Sequence, residues 1–446
     1  MNTENHISRS KKSSSSLSAS NLLIEIRSAF SKIVDLRTNR KTISLSDALM
    51  SGLAMFSMKC KSLLQFDEKR KEVVIRHNLK TMYGIEQAPS DTQMRSILDE
   101  CDFRHLDSCF AAVHKVANQA GVFDKYKFID GYLLISIDGT GHYSSCSIGC
   151  PQCCVKKHRD GTVEYYHQLL AAVVVHPSHK VVIPLMPEPI MKEDGDNKND
   201  CERNAAKRLI NNIKKNYKHL KPIIIEDSLS ANGPHINLLK SLGFRYIIGV
   251  KEGDHSYLFD LIHKKICQGQ MNEFEDVSDE GILHGFRFVN EVQLNASHPD
   301  LFVNFLEYWQ IIGNKQTTFT WITDINLTKD TVPLVMQGGR ARWKVENETF
   351  NTLKNQGYNL EHSYGHGEMN LGSVFGCLMM LAFLIDQLQA WGCELFRSAR
   401  QSRYTLISLW TRMMELFATY LITSWDVLWK AIANGHLAAN LEIDTS

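Results

Sequence analysis

The chain has 446 residues, long enough for two or three domains with a full core. Apolar residues make up 43% and charged residues 22%, the balance of a soluble globular protein and not of a fibrous or disordered one. The formal net charge is only +1, yet residues 1–80 carry 15 Lys and Arg against 7 Asp and Glu. That basic end suits a nucleic acid or another acidic surface as well as it suits a solvated tail. Eleven Cys at irregular spacing, without a secretory signal, point to a reducing compartment. The longest apolar run, Leu371 to Ile385, falls short of the roughly 20 residues of a membrane span. It reads as a buried helix, and no membrane partner is expected.

Residues 1–20, with a serine run after Lys11 and Lys12, read as a disordered tail. From 21 to 130 apolar positions recur three and four apart, an all-α region with Ser44 or Ser46 and then Ser90 or Asp91 as helix caps. It is a candidate DNA-binding or dimerisation domain. From 131 to 250 the pattern turns to α/β. A strand ends at Asp138, Tyr166 to Val175 and Val181 to Met186 form a hairpin, and a helix spans about Asp200 to Tyr217. A strand ending at Asp227, a helix after Gly233-Pro234 and a strand from Tyr246 to Val250 complete it. Three meandering strands followed by helix, strand, helix, strand is the order of a ribonuclease-H-like fold. Residues 251–330 are β-rich (Phe286 to Leu294, Phe305 to Ile312, Thr318 to Ile325) and read as an insertion. Residues 331–370 return to helix from Thr331 to Tyr358, and 371–446 form a C-terminal helical region.

Two apolar strands end in acid: Leu133 to Ile137 in Asp138, and Pro222 to Ile225 in Glu226-Asp227. A buried carboxylate needs compensation, from a hydrogen-bonded turn or from a cation. One such acid reads as a turn cap. Two at successive strand ends sit where open α/β sheets place their sites. A third acid lies on the helix Arg342 to Lys354. At about 100° per residue Trp343, Glu346, Phe350 and Leu353 share a face, so Glu346 interrupts an inward stripe while Glu348 points away. Glu346 can answer a metal ion, or pair with Arg342 one turn back as a structural salt bridge.

Four segments, in this order, resemble the DDE transposases of bacterial insertion sequences. They are Ser136-Ile137-Asp138-Gly139-Thr140, Asp200-Cys201-Glu202, Ile225 to Asn232, and Arg342-Trp343-Lys344-Val345-Glu346-Asn347, with Leu360 to Gly367 extending them. The resemblance implies a ribonuclease-H-like catalytic core interrupted by a β-rich insertion. It also implies a catalytic, metal-binding triad of Asp138, Asp227 and Glu346, with Mg²⁺ or Mn²⁺ as cofactor. The activity implied is cleavage at the element's terminal inverted repeats and strand transfer into target DNA, by a homodimer on DNA in the bacterial cytoplasm at the nucleoid. Arg342 matches a family support residue. The family's Tyr position is Gly339 here, and its Lys falls one residue late, at Lys354. The alternative is an inactive, domesticated DNA-binding descendant.

Cys146-x3-Cys150-x2-Cys153 has the spacing of a radical-enzyme iron–sulfur site, but Gln152 stands where a bulky aromatic is usual and no barrel repeat follows. A structural Zn²⁺ on Cys150 and Cys153, with one or two of Cys146, Cys154, His158 and His167, is the second reading, and reduced unliganded thiols the third. His362 and His366 share a helical spacing, but Gly365 and Gly367 place them on a loop suited to DNA contact or packing. Trp391 reads as core.

Overall fold

The computed structural model describes residues 16–37, 42–195, 198–435 and 441–443. Among the described residues six helices come first: α1 (Ala19–Phe30), α2 (Leu45–Ser57), α3 (Leu63–Lys69), α4 (Val73–Tyr83), α5 (Asp91–Asp99) and α6 (Asp107–Gln119). Most of the tail expected over 1–20 lies outside the described residues, but Ser18 already caps α1 by accepting from the Asn21 amide. Ser44 caps α2, and Ser90 closes a capping box with Gln93 on α5.

The sheet begins with β1 (Leu133–Ser145), β2 (Cys154–Lys157), β3 (Val163–His176), β4 (His179–Pro184) and β5 (Glu188–Ile190). Helix α7 (Lys198–Asn216) leads to β6 (Pro222–Glu226), then α8 (Gly233–Ser241) to β7 (Arg245–Gly249). The order across this part is β4-β3-β1-β6-β7, antiparallel on the β3 side of β1 and parallel on the β6 side. The short strands β2, β4 and β5 all pair with the free edge of β3, at different heights along it.

Strand β1 does not stop at Asp138. It continues seven residues further because β3 is long enough to pair with it up to Ser145, across an irregularity between Gly141 and Tyr143. The Asp138 carboxylate is instead compensated inside the strand, as described below.

Helix α9 (Ser256–Cys267) follows, then β8 (Asn272–Val277), β9 (Leu283–Gln293), β10 (Phe302–Ile312) and β11 (Lys315–Thr323). Strand β11 bonds to β7, with Trp321 opposite Gly249 and Thr323 opposite Ile247, so the β-rich segment extends the same sheet. The helical run expected from Thr331 to Tyr358 breaks into α10 (Val332–Arg340), a turn, a π-helical segment Val345–Phe350, and α11 (Asn351–Asn355).

The C-terminal helices are α12 (Leu371–Gly392), α13 (Glu394–Gln401), α14 (Leu406–Thr419) and α15 (Trp425–Asn434). Helix α12 is apolar and long enough to cross a bilayer, but 83% of its most apolar window is buried inside the molecule. It packs tightly on α2, where a Cβ at Gly52 would come within 2.8 Å of Leu378. Asp99 of α5 caps α12 from outside, accepting amide bonds from Glu368, Met369, Asn370 and Leu371. Asn78 bonds the backbone of Phe417, Tyr420 and Ile422, and buried Lys59 pairs with Asp386 at 2.7 Å. The two ends of the chain therefore share one helical core.

Candidate active site

Alternation along β1 sends Leu134, Ser136 and Asp138 to one side of the sheet. Helix α10 and the π segment lie there. A Cβ at Gly338 would sit 3.3 Å from Leu134, and the Ser136 hydroxyl donates to the Arg342 carbonyl at 2.9 Å. That backbone bond fixes the turn from which Arg342 reaches back. Its guanidinium meets the Asp138 carboxylate at 3.0 Å and the Glu346 carboxylate at 2.9 Å. The Arg342–Glu346 salt bridge expected as an alternative is thus present, and the same Arg342 also holds Asp138. Asp138 and Glu346 approach closely enough to share a hydrogen bond.

Asp227 follows β6 directly. Ser136 faces Ile225 in the last pair of the parallel ladder, and Asp138 and Asp227 each lie two residues beyond that pair. Asp227 caps the next turn, accepting from the Leu229 amide at 3.0 Å, and Asn232 caps α8. Beneath it the buried Glu226 carboxylate pairs with His235 at 2.6 Å. Asp227 stands between two clefts. One of about 270 Å³ is shared with Arg340, Arg342 and Trp343; the other, of about 580 Å³, with Arg203, His255 and Asn295.

Burial pushes the Asp138 carboxyl up to about 7; Arg342 and the Gly139 amide oppose this, and Glu346 adds to it. Burial alone would lower the His235 pKa, but the Glu226 carboxylate raises it above its ordinary 6.5. On the opposite side of β1, Glu202 of α7 lies 3.6 Å from the point a Gly139 Cβ would occupy. A Cβ at Gly139 would make ordinary van der Waals contact with that acid. The side chain of Asp200 lies outside the described residues.

One expectation for the last helix changes. Glu346 meets Asp138, but from an open cleft: its side chain is 47% exposed, and Trp343 is 44% exposed, so neither belongs to a buried stripe. The buried positions are Val345, Thr349, Phe350 and Leu353, because the π turn inserts an extra residue and shifts the helical phase. Lys354 pairs with Glu361 at 2.7 Å. The slot of the family's Tyr leaves no room for a side chain, since a Cβ at Gly339 would lie 2.4 Å from the Trp321 indole.

Cys150 and Cys153 come together as expected, but their company differs. Of the four candidates His167 of β3 joins them, while the other place goes to His366 from the loop before α12 and not to Cys146, Cys154 or His158. Cys154 turns to the Ile190 carbonyl, and His158 to Glu164. His366 carried no link to the cysteines in the sequence, because its partners are more than 200 residues away.

No family model and no curated protein matches the chain. Among solved structures, the cryo-EM structure of the piggyBac transposase synaptic complex with hairpin DNA is similar over 95% of this chain and 80% of that one. The identity is 10% and the TM-score 0.39, too loose a likeness to carry fold or chemistry across.

Proposed function

We propose that the chain is a DDE-type transposase of a bacterial insertion sequence, with Asp138, Asp227 and Glu346 as its catalytic acids on a ribonuclease-H-like core. The observation that carries this reading is the single Arg342 guanidinium joining Asp138 to Glu346, with Asp227 directly following the strand that runs parallel to β1. The strand order β4-β3-β1-β6-β7 supports the core assignment.

The acids fit a hard divalent cation. Asp138 and Glu346 offer hard oxygen donors on either side of Arg342, and burial and Glu346 raise the proton affinity of Asp138, so a cation would relieve both. Asp138, Asp227 and Glu346 would hold Mg²⁺ or Mn²⁺, which when bound stabilises charge on the attacking and leaving oxygens of a phosphodiester. The protein's own part is positional. Arg342 keeps two carboxylates converged while they lack a cation. Asp227, anchored by the Leu229 amide, is aimed from the neighbouring strand. Arg340, Arg203 and the exposed Trp343 line the flanking clefts, where cations and an aromatic face suit phosphates and an unstacked base. The DNA partners are the element's inverted-repeat ends and its target, engaged by a homodimer in the bacterial cytoplasm.

The test is cleavage of duplex DNA carrying the sequences that flank the coding region, with Mg²⁺ or Mn²⁺, by the natural protein and by Asp227→Asn. Cation-dependent nicking at the junction that vanishes in the variant supports the reading. Binding without cleavage under every cation condition would favour the inactive DNA-binding descendant.

A further inference from the structure

Cys150-Pro151-Gln152-Cys153 forms a tight turn in the β1–β2 connection, with proline at the position that presets the turn backbone. The Cys153 amide donates to the Cys150 carbonyl at 3.1 Å, and the Cys150 amide to the Cys153 sulfur at 3.4 Å. Both side chains then face His167 and His366. The sulfurs lie 3.8 Å apart, Cys150 Sγ is 3.5 Å and Cys153 Sγ 3.4 Å from His167 Nε2, and Cys153 Sγ is 3.1 Å from His366 Nε2.

We infer that Cys150, Cys153, His167 and His366 form a closed tetrahedral Zn²⁺ site that fastens the loop before α12 to the β1–β3 pair. A zinc ion with bonds of about 2.3 Å to sulfur and about 2.0–2.1 Å to nitrogen requires tetrahedral edges of about 3.8 Å between sulfurs and about 3.5 Å from sulfur to nitrogen. The distances from Cys150 and His167 fall on those edges, and His366 needs to withdraw by only a few tenths of an ångström. A disulfide does not account for the pair, since its sulfurs would be about 2.05 Å apart. Among the described residues, the hydrogen bonds of the four donor atoms run only within the four, apart from the Cys150 amide.

The surroundings are built to hold the ligands in place. His142 stacks on His167 with ring centroids 5.9 Å apart, and Tyr143 lies against His366 at 4.6 Å while its hydroxyl holds the Ile148 carbonyl at 3.0 Å. Gly365 and Gly367, at φ +137° and +70°, give the backbone the freedom to turn His366 inward. Two thiolates and two imidazoles suit Zn²⁺, whereas the acids suit Mg²⁺. Tyr143 pairs with His167 in the ladder, five residues along β1 from Asp138, a separation of about 16 Å at roughly 3.3 Å per residue. The zinc is therefore structural and distinct from the acid cleft, and the inference stands whether or not the chain cleaves DNA.

The experiment uses the full chain, expressed with zinc and purified under reducing conditions, with metal content measured by mass spectrometry. One zinc per chain is expected, retained in Asp138→Asn, and replacement by Co²⁺ should give the visible absorption of tetrahedral thiolate coordination. His366→Ala removes the half-exposed ligand while leaving three. It should still fold, bind zinc at least tenfold more weakly, and change the cobalt spectrum. Cys153→Ser should weaken the thiolate charge-transfer absorption, since only the Cys150 thiolate remains. Freshly reduced protein without zinc that also fails to take up Co²⁺ would overturn the site, as would zinc bound equally well by His366→Ala. A Cys150–Cys153 disulfide found by mass analysis of the protein as purified would overturn it too.

Discussion

Replacing Asp138 by Asn should make the metal-free protein more stable while abolishing its proposed chemistry. Raising this carboxyl from 3.8 to about 7 corresponds to about 4 kcal/mol at 1.36 kcal/mol per pH unit, and its side chain is only 23% exposed. The sign follows from proton uptake. A carboxyl whose pKa is higher when folded binds its proton more tightly in the native state, so native stability is greatest below pH 3.8 and declines as pH rises towards 7. Asn cannot ionise and escapes that decline. At pH 8 the variant should gain about 2–4 kcal/mol, the lower figure allowing for one mis-paired amide hydrogen bond against Arg342. At pH 5 the gain should fall to about 1.5 kcal/mol or less. The assay is urea denaturation in EDTA at both pH values. Saturating Mg²⁺ should then stabilise the natural protein, by about 2.7 kcal/mol at a hundred times its Kd, and leave the variant unmoved. A variant less stable at pH 8, or one whose difference from the natural protein ignores pH, would refute the reasoning.

Glu346→Gln should cut DNA cleavage about a thousandfold or more with end binding retained, whereas Glu348→Gln, on the Lys344 side of the helix, should cost little in either assay. Arg342→Lys keeps a charge but cannot fork between two carboxylates, so cleavage should fall by about tenfold, and the Asp138 titration followed by NMR should move higher. His235→Ala strands the buried Glu226 and should destabilise by about 3–5 kcal/mol. Because the His235 pKa is raised on folding, that contribution is fully present below pH 6.5 and fades above its raised value, which denaturation at two pH values reads directly. Lys59→Met should cost about 3 kcal/mol by leaving Asp386 with only neutral partners, measured by thermal midpoint.

Asp138 and Asp227 stand out in the sequence because each follows an apolar run, Leu133 to Ile137 and Pro222 to Ile225, and Glu346 because Arg342 lies one turn before it. The alternation of strands and helices was legible for the same reason, since buried elements are nearly pure in Ile, Val and Leu. What escaped was set by distant partners. The far half of β1, with its Gly, Thr and Ser, is a strand only because β3 pairs with it. The π turn at Val345–Phe350 has no signature in residue type, so a uniform 100° step put Glu346 and Trp343 in a stripe they do not occupy. Strands β2 and β5, four and three residues long, lie below what periodicity can resolve. His366 shows only its spacing to His362 in the sequence, whereas its companions are two cysteines of the β1–β2 connection and His167 on β3.

The shared helical core has a consequence for synthesis. Asn78 satisfies its amide on carbonyls of Phe417 and Tyr420, over 330 residues downstream, and Lys59 waits for Asp386. A nascent chain holding only α1 to α6 thus carries a buried-type amide and ammonium without partners and an apolar face without its cover. That layer can close only when the last helices leave the ribosome. A copy cut short before α14 would keep Asp386 for Lys59 but leave the Asn78 amide unsatisfied, so an early stop late in the coding region should expose the N-terminal helices to proteases.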